Sequence, residues 1–255
     1  PGNGSGGNHT LQVIDTTSIA QGVGGGIAFG GNFVGSTETL FAEIRGIKEN
    51  ATSHDFDGAL VFSTRLEDAS IAERMRISSD GKVGIGKAPD TLLHLYSTSA
   101  SKPILKIENE QGGGNPVSIQ MLRNTSSPDD DDFIGQIDFR SMNDASTPEE
   151  INYAYINSQS TDTTDGEEDG EINFFTMKAG TLTRTMTMQS GEVGVNDSDP
   201  AKILSVKATG NDDGISLKNS SGNFLALIHQ QDGDAGMLRL YDESSTVKIA
   251  LNADS

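Results

Sequence analysis

The chain has 255 residues, with 18 Lys and Arg against 37 Asp and Glu, a formal charge of −19, no Cys and no Trp. That balance disfavours a nucleic-acid partner, which needs cations against phosphate. It also disfavours anionic lipid, and with no apolar run near the ~18 residues of a spanning helix, no membrane insertion is expected.

In chain order, the apolar positions recur with a period of two, the spacing of strands that cover one face. The Gly-rich stretch 21–33 (QGVGGGIAFGGNF) leads into LFAEIRGI at 40–47, where Leu40, Ala42, Ile44 and Gly46 share a face. Gly58-Ala59-Leu60-Val61-Phe62-Ser63-Thr64 reads as the next strand. Alternation then places Met75, Ile77, Val83 and Ile85 toward a buried core, with Arg74 and Arg76 on the opposite face. Asp80-Gly81 is a turn dipeptide, and Leu93-His94-Leu95 follows Pro89 as a short strand. PEEINYAYI at 148–156 invites a helix, but its Tyr residues and its counterpart at 40–47 favour a strand. Met186, Met188, Val193 and Val195 repeat the core pattern around a Ser190-Gly191 turn. Residues 237–241 and 246–251 form a hairpin around Asp242-Glu243-Ser244-Ser245. The polar stretches 48–57, 124–132, 141–150 and 158–170 read as long loops, the usual place for binding on a rigid β scaffold.

Two passages are versions of one text. ERMRISSDGKVGIGKAP at 73–89 matches RTMTMQSGEVGVNDSDP at 184–200, with Gly81 and Gly191 at an offset of 110. The match extends upstream, where Gly58-Ala59-Leu60-Val61 aligns with Gly170-Glu171-Ile172-Asn173 and Ala42-Glu43-Ile44 with Ala154-Tyr155-Ile156. It also extends downstream, where Leu93-His94-Leu95 aligns with Leu204-Ser205-Val206 and Ile107-Glu108-Asn109 with Leu217-Lys218-Asn219. A near-constant offset over many landmarks is an internal repeat. Pro1 before Leu11-Gln12-Val13 echoes Pro89 before Leu93, so the chain is expected to begin inside a repeat, as a piece of something longer. The expected modules are 1–88, 89–199 and an incomplete 200–255. Hydrophobic residues at 34% and aromatics at 5% leave each module a thin core, a shortage eased when several chains share one.

Taken together, ERMRISSDGKVGIG with its following Pro and L-H-L strand, QGVGGGIAFGGNF (21–33), RGIKENAT (45–52), GALVFSTR (58–65) and GMLRLYDESSTVKIALNADS (236–255) resemble the repeats of bacteriophage tail-fibre and tailspike-like proteins. The resemblance implies an all-β fold of tandem, short-stranded antiparallel modules in an elongated, intertwined homotrimeric fibre. It often implies a cleaved C-terminal intramolecular chaperone too, and no such domain is visible before Asn252-Ala253-Asp254-Ser255. It further implies a location in the virion tail, other fibre or tail proteins as partners, and a cell-surface glycan or protein as receptor. A bacterial surface trimeric adhesin of the same architecture and a glycan-degrading tailspike are the alternatives.

Catalysis is not expected. There is no G-x-S-x-G elbow, and His9, His54, His94 and His229 are scattered and read as structural or exposed. His94 would have to lie on a three-fold axis to bind a metal, and its counterpart Ser205 argues against that. Acidic residues are too frequent to single out a glycosidase pair. The weak candidates for loosely bound Ca²⁺ or Mg²⁺ are Asp129, Asp130, Asp131 and Asp132, with Glu167, Glu168 and Asp169. Hard cations favour clustered oxygens, although neither run has EF-hand spacing.

Overall fold

The computed structural model describes residues 11–114, 116–210, 213–230, 236–242 and 246–252. His9 and Pro1 lie outside them. The chain divides into two compact units, Pro1–Val117 and Ser118–Ser255. No helix occurs among the described residues, and of the segment at 148–156 residues 150–156 lie in a strand.

The first unit holds a six-stranded sheet in chain order: β1 (Gly26–Val34), β2 (Thr37–Lys48), β3 (Gly58–Arg65), β4 (Ile71–Ile77), β5 (Val83–Ile85) and β6 (Leu93–Leu95). The second unit repeats that order with β7 (Phe133–Met142), β8 (Glu150–Asp162), β9 (Asp169–Lys178), β10 (Thr181–Gln189), β11 (Glu192–Val195) and β12 (Leu204–Val206). It also carries a four-stranded meander of β13 (Gly214–Lys218), β14 (Phe224–Gln230), β15 (Gly236–Tyr241) and β16 (Val247–Asn252), whose last pair is the expected hairpin. The sheets overrun the expected module limits, since Leu93–Leu95 completes the first and Leu204–Val206 the second.

The repeat extends to two of its irregularities. The first pair of each sheet has a bulge after Phe29 or Phe139, opposite Ala42 or Ala154. The third pair bulges again, at Arg74 between Glu73 and Met75 and at Thr185 between Arg184 and Met186. The bulge corrects one sequence expectation. Arg76 faces away from Met75 and Ile77 beside Val61, but Arg74 is the inserted residue, and its Nε donates to Thr64 Oγ1 at 3.1 Å. Shifting the alternation also brings Glu73 and Arg76 to one face, where the guanidinium donates to both carboxylate oxygens at 2.6 and 2.7 Å.

The V-G-I-G motif now has a physical reading. Beyond Gly84 the chain crosses over the sheet, and a Cβ there would lie 2.2 Å from the Lys87 carbonyl oxygen and 2.8 Å from Pro89 Cδ. Gly194 is cradled the same way, 2.2 Å from the Asp197 carbonyl oxygen. The crossing returns the next strand parallel, with Gly84 against His94 and Gly194 against Ser205, so the sheets are not wholly antiparallel as expected. The residue after each short strand is left-handed, Gly86 at φ 91° and Asn196 at φ 56°. Gly81 and Gly191 both sit at φ 81°, with open space around a would-be Cβ. Replacing Gly81 or Gly191 by Ala should therefore carry only the backbone penalty of about 1–2 kcal/mol. Gly84→Ala or Gly194→Ala meets backbone atoms as well, and thermal unfolding should show a clearly larger loss.

Two expected loops are partly strand. Residues 141–142 end β7, and 158–162 complete β8, although Ser158-Gln159-Ser160-Thr161-Asp162 has no apolar alternation. The backbone ladder to β7 and β9 holds this stretch, and Gln159 turns inward to donate to the Asp131 carbonyl at 2.7 Å.

Opposed residues share a face in these ladders, so each sheet has one apolar face. In the first sheet it carries Ile27, Phe29, Ile44, Leu60, Phe62, Met75, Ile77, Val83, Ile85 and Leu93. In the second it carries Ile137, Phe139, Ile156, Ile172, Phe174, Met186, Met188, Val193, Val195 and Leu204. The expected core residues do share a face, but that face is not covered within the chain: Ile85 is 43% exposed and Met188 41%. Among the described residues the buried apolar side chains are Ala59, Val61, Pro200 and Met237, and the first two lie on the opposite face.

Candidate recognition surface

The opposite face of the second sheet is polar and partly closed. Asn157, Gln159, Glu171, Asn173 and Thr187 are buried there, the last two completely. Their strands position them in register, Asn157 beside Asn173, Asn173 beside Thr187, and Gln159 beside Glu171. Thr187 Oγ1 donates to Asn173 Oδ1 at 3.0 Å, and Asn173 Nδ2 donates to Glu171 Oε1 at 2.6 Å. Arg184 Nη1 stands 3.8 Å from the same carboxylate oxygen. Its guanidinium lies 5.6 Å over the Phe175 ring, which stacks on Tyr155 at 4.3 Å between centroids. Burial pushes the Tyr155 phenol pKa up.

This network floors an open cleft of about 660 Å³ whose lining includes Asp131, Gln159, Glu171, Arg184, Asn196 and Asp199. Donors and acceptors of both kinds converge there with one guanidinium and several carboxylates. Such a lining can hydrogen-bond a polyhydroxyl or mixed-charge ligand. The first sheet has no equivalent: Ala59 stands where Glu171 does, Val61 where Asn173 does, and Arg76 where Thr187 does. Sequence reading passed over these residues, although the aligned Gly58–Val61 and Gly170–Asn173 stretches carried the signal, a polar replacement on one face of an otherwise matching strand.

The acidic candidates are used mainly in local structure. The Asp129 N–H donates to Asp132 Oδ2 at 2.9 Å, and Arg123 pairs with the same carboxylate. These two contacts, the backbone N–H first, hold the Asp132 carboxyl below its ordinary pKa. Asp130 Oδ1 accepts from Thr163 N–H at 2.8 Å and from its hydroxyl at 2.9 Å, tying the 129–132 loop to the 163–168 loop. Asp131 is left-handed at φ 63° and alone of the four lines the cleft. Glu168 Oε2 accepts from Gly166 N–H at 3.1 Å, Glu167 N–H donates to the Thr164 carbonyl at 2.9 Å, and Asp169 opens β9 opposite Asp162. Among the described residues no three His, Asp or Glu side chains gather as a metal site. His94 lies 2.8 Å from Asp90 Oδ1, on the face away from the apolar side chains, while its counterpart Ser205 donates to Asp197. His54 sits left-handed beside Ser53, and His229 is buried in the meander.

No family model matches the chain, and no curated protein matches it. Solved structures do share the fold. The carboxy-terminal domain of the bacteriophage T5 L-shaped tail fibre superposes with a TM-score of 0.55 at 12% identity, over 86% of this chain and 97% of that one. The same domain with its intra-molecular chaperone domain gives a TM-score of 0.57 at 12% identity, over 86% of this chain and 68% of that one. The fold is therefore similar to that of a phage tail-fibre domain, and the resemblance drawn from the repeats holds at the level of fold.

Proposed function

We propose that this chain is a section of a homotrimeric phage tail fibre that attaches the virion to a host-cell surface. The carrying observation is an apolar face on each six-stranded sheet that the chain itself does not cover, in a fold similar to a tail-fibre domain. Three copies turning these faces inward would share the core that each lacks. Their polar faces, with the cleft at Glu171 and Arg184, would then look outward. The role is adhesive and mechanical, with three identical clefts converting weak contacts to a glycan or protein into avidity. Location in the virion tail, among other tail proteins, follows from the same reading.

Each copy carries −19. An acidic glycan could approach the 129–132 and 165–171 loops only through bridging Ca²⁺ or Mg²⁺, whereas a neutral one needs no bridge. Adsorption of the purified chain to host cells tests the reading. Binding should fall at least tenfold in Arg184→Ala. A neutral receptor leaves it indifferent to a chelator and to replacing Asp129–Asp132 with Asn, and a bridged acidic one makes it sensitive to both. No adsorption would reduce the segment to a passive shaft, and adsorption unaffected by any of these changes would remove the cleft and the acidic loops from the contact. Release of reducing ends from host polysaccharide would instead favour the tailspike alternative.

A further inference from the structure

The cleft over the second sheet is built from three directions. A row of Gln159, Glu171 and Gln189 crosses neighbouring strands beneath it. Asp131 enters from the loop before β7, and Asn196, Ser198 and Asp199 enter from the crossing after β11. Every lining side chain is polar, and apart from three carboxylates and Arg184 all are hydroxyls or amides. Arg184 is already committed, 3.8 Å from Glu171 Oε1 and 5.6 Å over the Phe175 ring. Glu171 is only 6% exposed; its Oε1 takes the Asn173 amide, and its Oε2 takes no hydrogen bond among the described residues. The Asp131 and Asp199 carboxylates have neither a hydrogen bond nor an ion pair there. Three carboxylates thus face one guanidinium in a confined space, where groups of one sign focus their field.

The first copy of the repeat carries none of these three charges. Its Gly22 is left-handed at φ 82°, and the Gly22 N–H donates to the Lys48 carbonyl at 2.9 Å. Asp131 is left-handed at φ 63°, and its N–H donates to the Ser160 carbonyl at 2.8 Å. Lys48 and Ser160 are equivalent, opposite Gly58 and Gly170, so Asp131 holds a place that suits glycine. Ala59 aligns with Glu171, and Ala88 precedes Pro89 as Asp199 precedes Pro200. Three small uncharged residues in one copy are three carboxylates around a cleft in the other.

A ligand matched to this lining brings positive charge together with hydroxyls. A primary ammonium has three donors and no acceptor, and its bonds to carboxylates are stronger than neutral ones. The surrounding amides and hydroxyls both donate and accept, as the hydroxyls of a sugar ring require. A lysine-bearing protein loop is a poorer match, because a protein interface is anchored by apolar or aromatic side chains that this lining lacks. The volume of about 660 Å³ lies within the range of small-ligand clefts, roughly 300–1,000 Å³. Resting on the reading of the cleft as the recognition site, we infer that it holds a sugar carrying a free amino group. The ammonium is drawn to Asp131, Glu171 and Asp199, while Arg184 and the amides serve the ring hydroxyls. A uronic acid or phosphorylated sugar meets the wrong charge.

Titration calorimetry on the purified full chain tests this with oligosaccharides of equal length: a glucosamine oligomer with free amines, its N-acetylated form, and a galacturonic acid oligomer. The free amine should bind at least tenfold more tightly than the N-acetylated form, and the uronic acid should not bind. Asp131→Asn/Asp199→Asn should weaken the amine tenfold or more. Glu67→Gln/Asp144→Asn removes as much charge from exposed positions outside the cleft and should leave binding unchanged. Equal losses in both double variants would reduce the binding to general attraction by an acidic chain and overturn the inference. A preference for either other oligomer, or no binding of the amine, overturns it too. Trilysine bound as tightly as the amine oligomer would show that the ammonium alone is recognised, and would overturn the sugar. Host-cell adsorption of Arg184→Ala separates the two levels. Lost adsorption without a preference for the amine removes this inference alone, and unchanged adsorption removes the recognition reading and this inference with it.

Discussion

Met188→Asp is expected to dismantle the assembly. On the geometry of one chain the change looks mild, because Met188 is 41% exposed, and an exposed substitution of this kind moves stability by only about 0.5 kcal/mol. If other copies close the apolar face, the new carboxylate is buried among Ile172, Val193 and their counterparts with no partner. That costs roughly 3 kcal/mol or more per chain, paid three times in one trimer. Sedimentation should show loss of the oligomer, and thermal melting a fall of many degrees. Met75→Asp, at the repeat-equivalent position, should behave alike.

Asn173→Val should be as damaging to the second sheet, for a different reason. Asn173 is fully buried, accepts from Thr187 and donates to Glu171, whose side chain is itself only 6% exposed. Removing the amide leaves a buried carboxylate and a buried hydroxyl short of partners, a loss of about 2–4 kcal/mol. The first sheet shows how the same scaffold manages without the network, since Ala59 and Val61 fill the equivalent places. The triple change Glu171→Ala/Asn173→Val/Thr187→Val should therefore recover most of the stability, because replacing every member of a polar network is far less harmful than breaking it. If the cleft recognises the receptor, the triple variant should fold and assemble yet bind poorly. Urea unfolding and cell adsorption on the same three proteins separate the two effects.

The strands around Met75, Met186 and the Gly-led turns were legible because apolar alternation, turn dipeptides and a repeat all pointed the same way. Alternation told which side chains share a face. It could not tell whether that face is covered, and a sequence reads the same whether the cover is its own or another copy's. The bulges at Arg74 and Thr185 were invisible, since a single inserted residue leaves the apolar pattern on both sides intact. The end of β8 was missed because its ladder, not its side chains, holds it extended. At the cleft, charge density drew the eye to Asp129–Asp132, which mostly lock their own turns. The buried Glu171-Asn173-Thr187 row was written only as a difference between two copies of one strand.

On the proposed reading, each apolar face is completed by other copies of the chain. Light scattering on the purified protein, diluted across the micromolar range, gives the mass that decides this. A stable species of three times the 26.9 kDa chain mass is predicted. A folded, soluble species of 26.9 kDa with the same strand content would contradict it.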